Sequence, residues 1–102
     1  MIKAIYLHPN ADLDYFREHH IEMTKALPGL RRFTMSVAIE DPLDGSTPSY
    51  NLVNEVYFDD LEAYKRAFQS DEVKVALGDV PNFSDPTAVV AILSVEEDVP
   101  LD

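Results

Sequence analysis

Residues 14–33 read DYFREHHIEMTKALPGLRRF, and the division of this stretch decides the fold. Leu13 just before it, then Phe16, His20, Met23 and Leu27, recur at spacings of three and four, which marks one apolar face of a helix. Asp12 is suited to cap the start of that helix, and Pro28-Gly29 stops it. From Arg32 the period changes to two. Phe33, Met35, Val37 and Ile39 alternate with Arg32, Thr34, Ser36 and Ala38, as in a half-buried strand over 32–39.

Working outward, IKAIYL (Ile2 to Leu7) is a β-rich run that ends at the Pro9-Asn10 turn signal. EDPLDGSTPSY after the second strand is rich in Pro, Gly and acids and reads as an exposed loop. Asn51 to Phe58 alternates again, with Leu52, Asn54, Val56 and Phe58 on one side and Val53, Glu55 and Tyr57 on the other. Asp59 or Asp60 caps a helix with apolar positions Leu61, Tyr64 and Phe68. A second helical piece begins near Ser70, carries Val73, Ala76, Leu77 and Val80, and is broken by PNFSDP. TAVVAILSV (Thr87 to Val95) is a nearly unbroken apolar run, the pattern of a strand covered on both faces.

The order β-α-β-β-α-β predicts an α+β, ferredoxin-like unit: a four-stranded antiparallel sheet with both helices on one face. It occupies residues 1–102 as one domain, with an acidic tail from about residue 96. The uncovered sheet face, with Val53 and Tyr57 and the apolar fourth strand, predicts a homodimer packed sheet to sheet. Phe16, Met23, Leu27, Phe33, Val56, Phe58, Leu61 and Phe68 are the expected core.

Nineteen acidic against eight basic residues give a formal charge of -11, which repels phosphate backbones and anionic membranes. Nucleic acid and membrane are therefore not expected partners. Cysteine is absent, so no thiolate nucleophile or cysteine metal site exists. Three glycines leave no phosphate-binding loop, and no serine sits in a nucleophile elbow. MIKAIYLHPN fits neither a signal peptide nor a membrane span, so a cytoplasmic location is expected.

The adjacent histidines diverge on a helix. His20 falls on the apolar stripe and His19 toward the edge or solvent. Divergence also prevents the pair from chelating one metal, and no cofactor is implied. A lone histidine on an apolar stripe is more often a hydrogen-bonded core residue than a catalyst. Asn54, however, points to the same layer, and Tyr6 and His8 share one face of the first strand that the sequence leaves undetermined. Buried polar groups converging on one layer favour a pocket over a dry core. Within it, a buried histidine is suited to proton transfer.

Asp14-Tyr15-Phe16, then His20, then Leu27-Pro28-Gly29-Leu30, resembles the EthD family of dimeric α+β barrel proteins. Asp79-Val80-Pro81-Asn82-Phe83 is similar to its second signature, and Phe58-Asp59 followed by Leu61-Glu62-Ala63 to its strand-to-helix junction. Two positions depart from the pattern: Glu22 stands where proline is usual, and His8-Pro9 replaces Tyr-Pro. The resemblance implies a homodimer with a cavity between sheet and helices in each subunit. The wider superfamily it implies includes cofactor-free monooxygenases, lactone isomerases and polyketide cyclases. The resulting expectation is a small enzyme acting on a hydrophobic or aromatic carbonyl-containing molecule by acid/base chemistry. His20 would be the base or acid, Tyr6, His8, Tyr15 and Asn54 would orient the substrate, and Phe83 would close the pocket. A non-catalytic ligand-binding or accessory protein of an oxidative catabolic pathway is the alternative, and a purely structural dimer the third.

Overall fold

The computed structural model describes residues 1–101; Asp102, the end of the expected acidic tail, lies outside the described residues. The chain runs β1 (Ile2–His8), α1 (Leu13–Tyr15), a π-helical turn (Phe16–His20), α2 (Ile21–Lys25), β2 (Arg32–Val37), β3 (Leu52–Phe58), α3 (Leu61–Phe68), α4 (Asp71–Asp79), a 3-10 turn (Val80–Asn82) and β4 (Val89–Ser94). All strand pairs are antiparallel, in the order β2-β3-β1-β4. This is the ferredoxin-like α+β arrangement.

The register assigns the faces. Tyr6 lies opposite Asn54 on β3 and Val90 on β4, and Met35 lies opposite Asn54 from the other side. Directly opposed residues share a sheet face. Ala4, Tyr6 and His8 therefore join Leu52, Asn54, Val56 and Phe58 beneath the helices, where Ala4, His8 and the four β3 residues are buried. Lys3, Ile5, Leu7, Val53, Glu55 and Tyr57 form the opposite face.

The core has two parts. Ala4, Leu27, Val56, Phe58, Ala63, Ala67 and Val73 pack under α3 and α4. Ala11, Phe16, Leu52 and Phe83 pack at the other end. Leu61, expected in the core, is exposed. The buried spine of α3 is Ala63 and Ala67, whose small side chains let the helix approach the sheet, with Tyr64 and Phe68 flanking them. Met23 is only half-buried, and Thr24 takes the inward place.

The cause of that shift is the π-helical turn. The Ile21 amide donates to the Phe16 carbonyl, five residues back, so the turn holds one residue more than an α-turn and rotates everything after it. Phe16, His20, Thr24 and Leu27 then form the inward face. Asp12 caps α1 through a 3.1 Å bond from the Tyr15 amide. Gly29, with φ of 76°, makes the left-handed step that lets the chain turn from α2 into β2.

Within one chain β4 is covered on neither side. Val89 and Leu93 on the open face and Val90 and Ile92 on the helix side are each 41–53% exposed. The double cover expected from its apolar sequence is missing, because among the described residues β4 is the edge strand and its side chains on both faces stay about half exposed.

Candidate functional site

His20 ends the π turn and points inward, 5% exposed, against the end of α4. There its Nδ1 lies 3.0 Å from Oδ2 of Asp79, itself only 6% exposed. Asp79 is the last residue of α4, where the helix dipole disfavours a negative charge. Three donors offset that cost. The Tyr15 hydroxyl donates to Oδ1 at 2.5 Å, Asn82 Nδ2 donates to the same oxygen at 3.0 Å, and His20 serves the other oxygen. Burial alone would raise the Asp79 pKa, but the bonds from Tyr15, Asn82 and His20 together outweigh it and hold the carboxyl below its ordinary value.

Facing a carboxylate, Nδ1 of His20 carries the proton, and the lone pair is left on Nε2. Burial lowers the His20 pKa more than Asp79 raises it, so the neutral imidazole is favoured. Among the described residues every fully buried side-chain nitrogen and oxygen has a hydrogen-bond partner. Nε2 has none, so it borders open space. His20 also lines a cavity of about 30 Å³, shared with Tyr6, Thr24, Leu27, Val56 and Phe68 together with residues of α4 and Val80. The volume admits about two waters. Leu77, about half exposed, and the half-buried Phe68 and Val80 open it toward the surface.

His8 is arranged differently. Its Nε2 meets Asn54 Oδ1 at 3.0 Å and its Nδ1 meets Ser84 Oγ at 2.6 Å, so both ring nitrogens are engaged. Burial and the neighbouring His20 lower its pKa, against the raising effect of Asn54. Neither His8 nor Asn54 lines the cavity. Phe83 stands between the two histidines, its ring centre 4.5 Å from His20 and 5.4 Å from His8. The main chain fixes it there, because the Phe83 carbonyl accepts from the Asp12 amide at 2.8 Å. His19 is exposed, its ring tilted against Tyr15 with centres 4.7 Å apart.

Of the residues singled out from sequence, His20 and Tyr6 share the cavity, Tyr15 joins His20 through Asp79, and His8 and Asn54 bond to each other, with Phe83 beside His8. Asp79, Asn82 and Ser84 received no role from the sequence. The visible signal for Asp79 was the DVPNF stretch containing it. Among the described residues no group of three or more His, Asp or Glu is placed to hold a metal, and no helix is long and apolar enough to cross a membrane.

Residues 7–87 match the family model of the EthD domain. The chain belongs to the EthD family. A relative in Rhodococcus erythropolis, named "Uncharacterized 11.0 kDa protein in thcB-thcC intergenic region", is 33% identical over 87 residues, covering 81% of this chain and 82% of its own length. An EthD family protein of Bacillus halodurans C-125 superposes with a TM-score of 0.81 at 25% identity, over 93% of this chain and 98% of its own. At the level of fold alone, SnoaB of Streptomyces nogalater, a cofactor-independent oxygenase, matches with a TM-score of 0.71 at 13% identity, over 98% and 96% of the two chains. A protein of Thermobifida fusca described as dimeric and ferredoxin-like matches with a TM-score of 0.67 at 14% identity, over 92% and 90%. This EthD chain thus shares its fold with proteins described as dimeric and with at least one enzyme.

Proposed function

We propose that this EthD protein is a small enzyme that moves a proton on a hydrophobic or aromatic carbonyl-containing molecule, with His20 as the base. One observation carries the reading. The imidazole is fixed through Nδ1 by a buried carboxylate, its Nε2 has no partner among the described residues, and His20 lines an apolar cavity. A base oriented this way is ready to accept a proton without first being rearranged, and Asp79 stabilises the imidazolium that results. Tyr15 and Asn82 act through Asp79, keeping it charged and in place. Phe83 is the aromatic wall beside His20, and His8 with Asn54 forms a second polar wall behind it. The fold likeness to a cofactor-independent oxygenase agrees with a reaction carried by side chains alone.

The protein works as a homodimer in this reading, with the open sheet face against its copy. The exposed Val89 and Leu93, beside Ile5, Leu7 and Val53, support this, as do the dimeric descriptions of proteins with this fold.

The test is turnover of a panel of hydrophobic ketones and lactones followed by NMR. His20→Gln keeps a hydrogen-bonding group but removes basicity, so activity is expected to vanish while circular dichroism stays native. Full activity in His20→Gln would remove the base from the mechanism. Tight binding of a panel member without conversion by the wild type would point to the ligand-binding alternative.

A further inference from the structure

The hydrogen bonds of His8 fix its tautomer. Its Nε2 lies 3.0 Å from Asn54 Oδ1, an atom that can only accept, so the ring proton sits on Nε2 and the lone pair on Nδ1. Nδ1 lies 2.6 Å from Ser84 Oγ, and the hydroxyl therefore donates to it. The Asp85 carbonyl, 3.2 Å from the same hydroxyl, is the longer contact and accepts instead from the Ala88 amide at 3.1 Å. A hydroxyl, the base that can take its proton and the amide that orients that base stand in line. Ser84 lies outside any nucleophile-elbow motif, but such sets are recognised by geometry and roles rather than by sequence position.

The turn that carries Ser84 is held by its own main chain. The Val80 carbonyl accepts from the Phe83 amide at 3.1 Å and from the Ser84 amide at 2.9 Å. The Asp85 carboxylate accepts from the Thr87 amide at 2.9 Å and the Thr87 hydroxyl at 2.8 Å. The Asp85 amide makes no hydrogen bond among the described residues. Ser84 and Asp85 are partly exposed, while His8 and Asn54 behind them are buried. Neither Ser84 nor Asp85 lines the small cavity beside His20, so a molecule that meets them comes from solvent and needs no room inside it.

We infer that Ser84, with His8 as its base, is a nucleophile that takes the acyl group of a small uncharged ester, the Asp85 amide donating to the carbonyl oxygen. This goes beyond the proposed function and does not depend on the role of His20.

The chemistry balances with water as the only co-reactant. Oγ bonds to the carbonyl carbon as the Ser84 proton passes to His8 Nδ1, and the carbonyl electron pair moves onto oxygen. When the carbonyl reforms, the bond to the leaving group breaks and that group takes the proton from Nδ1. Water then attacks the Ser84 ester by the same route and releases the acid. The amide that follows a nucleophilic serine is a common oxyanion donor. Here it adjoins the serine in the chain, so one carbonyl group can meet both. Asn54 orients the ring but carries no charge to balance an imidazolium, so phenyl esters, whose leaving group needs little help from an acid, are the class served. The Asp85 carboxylate and the net charge of -11 turn acidic substrates away. Burial lowers the His8 pKa, which keeps the imidazole neutral and free to accept.

Two probes test this. Diethyl p-nitrophenyl phosphate leaves a stable adduct on an activated serine, and peptide mass spectrometry locates it. The wild type is expected to carry the adduct on Ser84 well before the exposed Ser46. p-Nitrophenyl acetate reports turnover by absorbance. Ser84→Ala is expected to abolish the catalysed hydrolysis, and His8→Gln to slow it by about 10²–10⁴-fold, the usual worth of a general base, with native circular dichroism in both. Hydrolysis unchanged in either variant would overturn the inference. Should the variants fail to fold, the wild type decides: an adduct on Ser84 no faster than on Ser46 overturns it.

Discussion

At the scale of single residues, the chemistry depends on which groups are charged. His8 and His20 both have pKa values depressed below 6.5, chiefly by burial. Each therefore binds a proton more readily in the unfolded chain than in the folded one. Stability is fully present above about pH 6.5 and falls as the pH drops through the lower folded values. Thermal melting of the wild type is expected to weaken between pH 7 and 5, and His20→Gln to show a shallower decline over the same range. A parallel decline would mean that His20 is not neutral when folded. Proton transfer by the neutral imidazole should likewise hold up below pH 6.5 before failing in acid, measured as kcat/KM against pH. Asp79→Asn takes away the charge that orients and balances His20, and it is expected to reduce turnover by roughly 10²-fold or more. The histidine was visible in the sequence because it fell on an apolar stripe. Asp79 was not, because its contact with His20 spans 59 positions and no local periodicity encodes it.

Elements were more legible than the contacts between them. The alternation of Leu52, Asn54, Val56 and Phe58 placed the inward face of β3, and all four are buried. The break near Ser70 is also where α3 gives way to α4. Its hydroxyl donates to the Ala67 carbonyl at 2.5 Å and accepts from the Val73 amide at 3.2 Å, closing one helix and opening the next. Ser70→Ala is expected to cost about 1 kcal/mol, the usual loss of an N-cap, read by urea unfolding. Phe58 is fully buried between Tyr64 and Phe68, edge-on to both at 5.9 and 6.2 Å. Phe58→Ala should cost about 3–5 kcal/mol in the same assay, and a loss under about 1 kcal/mol would contradict this packing. What escaped the sequence was the π turn. Regular spacing assumes a constant rotation per residue, so Met23 was placed inward where Thr24 is found.

The open sheet face of the molecule is charged on the β2 side and apolar toward β4. On it Lys3 pairs with Glu55 at 3.1 Å, Thr34 donates to Glu55 at 3.3 Å, and Arg32 lies over the Tyr57 ring at 5.3 Å. Ile5, Leu7, Val53, Val89 and Leu93 lie beside this group on the same face, toward β4 and one end of the sheet. A copy seated there would bury these apolar residues and use the charges beside them to fix its orientation. Light scattering is expected to give about twice the chain mass of 11.5 kDa, and Leu7→Asp, which buries a lone carboxylate in the joint, to give the single-chain mass. A wild-type monomer at micromolar concentration would remove the dimer. Each copy has a formal charge of -11, so association should tighten as salt screens the repulsion. The sequence anticipated this uncovered face, but the exposure of Val90 and Ile92 on the other side of β4 could be seen only once the helices were placed.

The π turn also bears on how chains of this family vary in length. It is an α-helix with one residue inserted among the exposed Arg17, Glu18 and His19. Deleting any one of them would bring Phe16, His20, Thr24 and Leu27 to the intervals of three, seven and ten that an ordinary α-helix keeps on one side. The inward set, including the base, would survive the deletion. A gap at this point in an alignment would therefore be neutral for the site, whereas a gap one turn later, between His20 and Leu27, would swing Leu27 out of the core.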